Sequence, residues 1–435
     1  MKEEFELSLA KGVRDFPPEE KILRDQILQT IKEVFELYGY NPIELPILER
    51  YETLAAKYAA GEESDALKEI FVTRDNGNRE LGLRFDLTVP FSRFIGMNPD
   101  LKMPFKKYVT GQVFRDGPLK KGRYREFTQF DPDIVGCTDV IADAEIMSIT
   151  ETVFTKLGFE CEIEFNNRKL INGILDDLKI PEKDHFSVVV SIDKFKKVGK
   201  AGVEAELLEK NMDKKAIERL FKYLEVGKTN DETLNNLKGL VKSEIGKEGV
   251  KEVEALINYS KEYGLSHVKF IPSLARGLAY YTGPIYEAFL KDSTITSSAA
   301  GGGRYDELIG KFLGGKQQIP ATGISFGIEV IVEAMKEKGL AEKKSVTRAY
   351  VIPIKTRTKC IKIVQELRKA GINTDMDLME RGISKNLDYA NHYKIPFVVF
   401  AGEKELSEGK VKLRDMGSGT EEMVTVAEAV KRLKA

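Results

Sequence analysis

Two short stretches concentrate the side chains that could do chemistry. Residues 275 to 283 read ARGLAYYTG, which sets Arg276 just before the adjacent phenols Tyr280 and Tyr281 on a glycine-bearing loop. A second stretch, 115 to 133, holds Arg115, Lys120, Lys121, Arg123 and Arg125 within eleven positions, followed by Gln129, Asp131 and Asp133. A loop this positive repels itself unless solvent or a polyanion screens it, and phosphate is the obvious ligand. Arg115 falls at a strand end, where a guanidinium fork can be aimed at two phosphoryl oxygens. If the loop of Arg276 faces it, two arginines approach a transferring phosphoryl group from opposite sides and neutralise charge that grows in the transition state. If that stretch is extended, the adjacent Tyr280 and Tyr281 point to opposite faces, and only one need face the site. Taken alone, two tyrosines at a core edge, hydroxyls bonded to backbone, is the better reading of that pair.

Two further motifs are weaker in isolation. GGGRYD, 301 to 306, places three glycines before an apparent helix start, where backbone can approach a ligand and a helix N-terminus attracts anions. RFDLTVP puts Asp86 and Thr88 at alternate positions of a strand, hence on one face, where a carboxylate and a hydroxyl can hold an ammonium group. GxxxxGK[ST] is absent, which disfavours a P-loop nucleotidase, and no GxGxxG stands between a strand and a helix, so a flavin or nicotinamide site is unsupported. Three cysteines (Cys137, Cys161, Cys360) and three histidines (His185, His267, His392) are scattered without metal-ligand spacing. No zinc or other resident metal is expected, and the thiols read as free in a reducing compartment.

The elements that must position these residues are legible from periodicity. A proline, early carboxylates and a closing Gly39 bound an amphipathic helix over 17–39, and IELPIL, 43 to 48, reads as a strand. IFVTRDNGNRELGLRF is a hairpin around a DNG turn, and 106–136 is a second hairpin with a long basic connection. Helical spacing returns at 139–157. Hairpins flanked by helices predict an α+β antiparallel sheet rather than a doubly wound one. From about 168 to 264 the chain turns charged and helical without distinctive chemistry, as an insertion would. Strands resume at VKFIPSLARGLAYYTGPIYEAFL and run to a strand and helix at ATGISFGIEVIVEAMKEKG. Beyond the polar segment LAEKKSVT, strands alternate with helices, predicting a small, mainly parallel α/β domain.

Composition bounds the class. At 435 residues the chain exceeds one simple core, and 42% hydrophobic with 31% charged residues describes a soluble globular protein. There is no apolar run of membrane-spanning length and no signal-peptide pattern, so a cytoplasmic location is expected. The net charge is −1, but residues 345–435 hold 17 Lys+Arg against 12 Asp+Glu. A basic end on a balanced body suits docking to a polyanion at one place.

Taken in order, these stretches resemble the histidine–tRNA ligase (histidyl-tRNA synthetase) family of class II aminoacyl-tRNA synthetases over nearly the whole chain. RGLAYYTG looks like the histidine signature, with GGGRYDELI as its second part. FRDGPLKKGRYREFTQFD resembles motif 2, the first helix with GYNPIELPIL resembles motif 1, GISFGIE resembles motif 3, and the tail is similar to the anticodon-binding domain of several class II enzymes. The resemblance implies a catalytic domain in two parts, 1–167 and 265–339, a helical insertion at 168–264, a linker at 340–347 and an anticodon-binding domain at 348–435.

It also implies roles. Arg115 would hold the ATP α-phosphate and Arg276 would contact it from the other side, together with the histidine carboxylate. Asp86 and Thr88 would bind the α-ammonium, Gln129 would support the carboxylate, and Asp133 with Tyr281 would bond the imidazole nitrogens, with Tyr280 and Tyr305 in the same pocket. Arg123, Gly302, Gly303 and Gly327 would complete the ATP site, and Lys120 and Lys121 would hold tRNA phosphate. The implied reaction runs through histidyl-adenylate, with ATP entering as its Mg²⁺ complex, and the implied partners are histidine, histidine tRNA and a second copy of the chain in a homodimer, without a membrane. Two positions depart from the family pattern: Val330 stands where an arginine usually holds the γ-phosphate, and Ala279 where an acidic residue is common. Val330 is the feature that favours the alternative, a catalytically impaired regulatory or tRNA-sensing paralogue.

Overall fold

The computed structural model describes residues 7–55, 65–119, 124–278, 280–291, 293–315, 317–340 and 343–434. It divides into two compact units, one holding Ile27–Glu337 with the N-terminal stretch to Arg14, the other holding Lys338–Ala435 with Asp15–Gln26. The strands in chain order are β1 (Asn41–Pro42), β2 (Leu48–Arg50), β3 (Val72–Arg74), β4 (Glu80–Leu83), β5 (Phe105–Phe114), β6 (Glu126–Val135), β7 (Cys161–Asn167), β8 (Val268–Phe270), β9 (Pro284–Leu290), β10 (Ala300–Arg304) and β11 (Ala321–Gly327) in the first unit. The second unit contributes β12 (Ala349–Ile354), β13 (Thr374–Met376), β14 (Phe397–Gly402), β15 (Val411–Asp415) and β16 (Glu421–Val424).

An eight-stranded sheet of order β1-β5-β6-β11-β10-β9-β7-β8 dominates the first unit. Its six central strands pair antiparallel, and only the edge pairs β1–β5 and β7–β8 run parallel. This is the α+β antiparallel sheet that the hairpins predict. One face packs on helices. The helix Pro18–Leu37 buries Ile27, Ile31, Val34 and Phe35, and the Phe35 ring meets Tyr40, Tyr108, Phe130 and Phe326 at centroid distances of 5.0 to 6.4 Å. The helix Ile141–Lys156 covers the same sheet with ten buried residues, among them Asp143.

The DNG hairpin forms as β3 and β4, with Arg74 opposite Glu80 and the Asp75 carboxylate accepting from the Gly77 and Arg79 amides at 2.9 Å. IELPIL, in contrast, is not one strand. Asn41–Pro42 joins β5 and Leu48–Arg50 joins β4 of a separate three-stranded sheet, with the Pro46 segment crossing between them. A proline cannot donate to a ladder, which is why the pairing breaks there.

Residues 168–262 form six helices, Arg168–Asp177, Glu182–Asp193, Phe195–Glu209, Lys214–Tyr223, Asn230–Leu240 and Glu244–Glu262, connected back to the sheet by β8. The second unit is a five-stranded sheet of order β13-β12-β14-β15-β16, parallel across its first three strands and antiparallel across its last two. Apolar clusters lie on both of its faces. No helix among the described residues is long and apolar enough to cross a membrane.

Candidate functional site

The site is built on the face of the eight-stranded sheet opposite the Phe35 cluster, and the strand registers explain who meets whom. Lys107 on β5 lies opposite Asp133 on β6, which lies opposite Gly323 on β11 and then Gly303 on β10. Two residues along, Ser325 on β11 lies opposite Gly301 on β10 and then Glu287 on β9. Because strand side chains alternate, Gln129, Asp131 and Asp133 point to one face together. All three line a cavity of about 320 Å³ that is also lined by Asp86, Thr88, Arg115, Arg276, Tyr280, Tyr281, Gly302, Gly303 and Tyr305.

The glycines of this face make room for charged groups. A Cβ on Gly301 would lie 2.2 Å from Arg276 Nη1, and one on Gly323 would lie 2.0 Å from Asp133 Oδ1. The glycines of GGGRYD therefore lie in strand β10 rather than in a loop opening a helix, and the helix that follows is only Leu308–Phe312. Its glycines serve by omitting side chains, and the expectation of an anion at a helix N-terminus is overturned. Gly302 and Gly303 line the cavity, whereas Gly327 is not among its lining residues and sits at the end of β11 opposite Gln129.

Arg276 donates from Nη1 to Glu287 Oε1 at 3.0 Å, and its guanidinium stands 5.5 Å from the Tyr281 ring centre. Burial works against its charge, but the neighbouring Tyr281, Glu287, Tyr280 and Asp193 outweigh burial and hold the guanidinium protonated. Its Nε is buried without a protein partner. Arg115, immediately after β5, donates to the Phe85 carbonyl at 3.2 Å and lies 4.2 Å from the Phe85 ring centre, which fixes the fork against an aromatic face. In the sheet order β5 and β10 are separated by β6 and β11. The two arginines thus reach one cavity from opposite flanks.

Asp86 and Thr88 do not share a strand. Thr88 opens the helix Thr88–Met97, and Asp86 accepts from the Val89 amide at 2.9 Å, so the carboxylate meets orphan donors of the first turn. Helix start and strand end look alike in RFDLTVP because most of the helix's buried face, including Phe91 and Ile95, lies beyond it. The tyrosine pair does not take the opposite-facing arrangement of an extended stretch. Tyr280 and Tyr281 both line the cavity, with hydroxyls 3.4 Å apart and ring centres 4.5 Å apart, because the loop is not extended there.

Asp133 receives the Tyr305 hydroxyl at 2.5 Å and forms an ion pair with Lys107, a lysine with no exposed surface. Burial first, then the Asp133 charge and hydrogen bond, push the Tyr305 phenol well above its ordinary range, so that the phenol stays protonated and donates to Asp133. Lys107 also donates to the Asp131 carbonyl at 3.2 Å. Nothing in the sequence marked Lys107, since a lysine in a β-strand is ordinarily solvent-facing; register opposite Asp133 would have been the signal. Glu69, Ser325 and Glu287 were missed in the same way.

Beneath the site, Arg304 at the end of β10 bonds Asp143 at 2.5 Å and the carbonyls of Cys137 and Asp139 at 2.8 and 3.0 Å. Thr322 donates to the other Asp143 oxygen at 2.6 Å, completing a buried polar anchor. Val330 lies half-buried in the helix Ile328–Glu337, one turn from Gly327. Lys120, Lys121, Arg123 and Ala279 lie outside the described residues.

Comparison with known proteins bears on the whole chain. Residues 12–331 match the family model described as histidyl-tRNA synthetase, and residues 348–435 match the one described as anticodon binding domain. Histidine–tRNA ligase 1 of Bacillus cereus (strain ZK / E33L) is 41% identical over 97% of this chain and 99% of the relative. Histidine–tRNA ligase of Bacteroides fragilis (strain ATCC 25285) is 37% identical over 97% of this chain and 98% of the relative. The crystal structure of histidyl-tRNA synthetase from Nostoc sp. PCC 7120 superposes with a TM-score of 0.87 at 30% identity, covering 99% of each chain. Matched from its first strands through its C-terminal sheet, with both arginines in one glycine-floored cavity, this chain belongs to the histidyl-tRNA synthetase family.

Proposed function

We propose that this protein attaches histidine to its tRNA, first joining the amino acid to AMP and then transferring it to the terminal ribose. The observation that carries this reading is the single cavity in which Arg115 and Arg276 converge from opposite flanks while Asp133 and Tyr305 form a polar pair within the same walls. In the first step a histidine carboxylate oxygen attacks the ATP α-phosphorus and pyrophosphate leaves. Arg115, braced on Phe85, would hold the α-phosphate, and Arg276 would meet both it and the attacking carboxylate. Both are charged groups fixed before reaction, so they stabilise the transition state with little reorganisation. Mg²⁺ would enter with ATP as part of the substrate; among the described residues no group of three or more His, Cys, Asp or Glu is placed to hold a metal of its own.

Asp86 and Thr88 would take the α-ammonium, Gln129 the carboxylate side, and Asp133 with Tyr281 the imidazole nitrogens, with Tyr280 and Tyr305 closing the pocket. An apolar side chain of similar size would leave unmade the bonds that Asp133 and Tyr281 would form with the imidazole nitrogens, and such mispairing discriminates by as much as about 10⁴–10⁵ where a site is built for hydrogen bonds. Gly302 and Gly303 would let the nucleotide approach the sheet, with Gly327 nearby. Lys120, Lys121 and Arg123 would meet phosphates of tRNA and ATP, the six insertion helices would clamp the acceptor stem, and the second unit would hold the anticodon. A cytoplasmic homodimer fits this role. The presence of both arginines in the cavity counts against an inert paralogue.

The test is ATP–pyrophosphate exchange with purified protein, Mg²⁺ and no tRNA, across a panel of amino acids. Exchange with histidine alone is expected, which would also establish that Val330 is compensated. Folded protein without exchange for any amino acid would sink the enzymatic reading.

A further inference from the structure

Three acceptors stand in line on β6, and the roles above use only the outer two. Asp131 lies between Gln129 and Asp133 on the same face, is 4% exposed, and lines the cavity. The Gln129 amide donates to Ser325 Oγ at 2.8 Å, and the Ser325 hydroxyl is bonded in turn to the Asp131 carboxylate. That chain leaves two oxygens over: Asp131 Oδ1 and Gln129 Oε1 are both buried without a hydrogen-bond partner. Buried polar atoms are nearly always hydrogen-bonded, so two unpartnered oxygens side by side point to a donor-rich ligand.

The groups facing Asp131 define that ligand. Lys107 from β5, Asp133 on its own strand, Asp86 from the loop before the helix Thr88–Met97, and Arg84 from the segment after β4 all act on its charge. Lys107 is already engaged by Asp133, and the Arg84 guanidinium is turned onto backbone carbonyls of Gln112 and Leu45 at 2.7 Å. Asp86 and Asp131 are thus two carboxylates bearing on one small space, where the lysine that acts on Asp131 from β5 is already shared with Asp133. A compact cation with several N–H donors completes it.

We propose that Asp131 is a further amino-acid-binding residue, whose free carboxylate oxygen, with Gln129 Oε1 and Asp86, receives the α-ammonium of the substrate. This rests on the functional reading above. Burial, only partly offset by Lys107 and reinforced by Asp133 and Asp86, pushes the Asp131 carboxyl up to about 8 in the empty site. At neutral pH the empty site therefore holds a proton on Asp131, and the arriving ammonium displaces it to solvent. Histidine binding is tighter as pH rises toward 8 for this reason, over and above the titration of histidine itself.

Asp131→Asn keeps the shape and removes the charge. In histidine-dependent exchange the KM for histidine should rise at least tenfold at pH 8 with the KM for ATP unchanged, and the ratio of variant to wild-type KM should shrink toward pH 6. Inhibition by imidazole-propionate, which lacks the ammonium, should be the same in both proteins. An unchanged histidine KM, or an equal loss of affinity for imidazole-propionate, would overturn the assignment while leaving the enzyme reading intact. Wild-type protein without exchange would overturn both. A measurement on the wild type alone stands if the variant does not fold: calorimetric titration at pH 7 in buffers of different ionisation enthalpy should show proton release with histidine and none with imidazole-propionate. Equal proton release with both ligands would refute it.

Discussion

The two sheets of this molecule are built on opposite plans. In the second unit β12 and β14 bury both faces: Ala349, Val351, Val399 and Ala401 go to one cluster, while Tyr350, Ile352, Val398 and Phe400 go to the other. Near-continuous apolar strands are what a parallel sheet covered on both sides requires. In the first unit β10 reads Ala-Gly-Gly-Gly-Arg and contributes almost no cohesion. Its neighbours use the space to seat Arg276, Asp133 and Tyr305. One sheet is made of contacts, whereas the other holds together through its far face and leaves its near face for chemistry. Substitutions should divide accordingly, into those that change stability and those that change rate.

The largest effect is expected from Arg276→Ala, which should slow histidine-dependent exchange by about 10²–10³-fold, the usual cost of removing one charge-stabilising donor. Its thermal unfolding should stay cooperative, and near-wild-type exchange would contradict the assigned role. Gly301→Ala sharpens the contrast, because the new methyl would come within 2.2 Å of Arg276 Nη1 without touching that arginine's chemistry. A displacement of that size should cost about 10²-fold in rate. Were exchange unaffected, Arg276 would have to be free to move, and the glycine floor would lose its meaning.

On the other side of the contrast, Leu367→Ala empties a fully buried position of the second unit. It should cost about 2–5 kcal/mol of stability by denaturant titration and leave tRNA-free exchange unchanged. A rate loss there would erase the division between the two plans. The smallest effect belongs to the helical insertion. Hydrogen bonds from Lys194 first, then Lys210 and Ser191, draw the Glu206 carboxylate down to about 2 against modest burial. An unfolded glutamate titrates near about 4.3, so the folded state gains stability above that value and loses it as pH falls toward 2. Glu206→Gln should therefore destabilise by less than about 1 kcal/mol at pH 7, a difference that fades by pH 2.

Much of this was readable in advance where pattern and chemistry coincide. The helix bounded by Pro18 and Gly39, the DNG hairpin, the basic hairpin and the strand–helix alternation after residue 348 all follow from local periodicity. What sequence hid was long-range. Lys107 is an ordinary strand lysine until β6 places Asp133 opposite it. Asp86 and Thr88 read as strand because a helix cap is polar just as a strand end is. Tyr280 and Tyr281 would face opposite ways only in an extended stretch, and local pattern could not tell that both line the cavity. The triple glycine suggested close approach of a ligand from its own flexibility, but the room that Gly301 leaves for Arg276 and that the facing Gly323 leaves for Asp133 involves residues that are not adjacent in sequence.

Strand β10 has a further consequence. Three glycines in succession give a strand no side-chain pattern by which to choose its pairing register, and glycine-rich strands are prone to slip. A slip of one residue would bring the next position under Arg276 and turn Arg304 toward the cavity. Arg304 prevents this from one position beyond the glycines, locked to Asp143 and to two carbonyls of the segment before the helix Ile141–Lys156. It acts as the alignment pin of a strand that cannot align itself. Loss of Asp143 should therefore show as faster amide exchange at Gly302 and Gly303, a fault of pairing carried into the cavity by a residue that is not among those lining it.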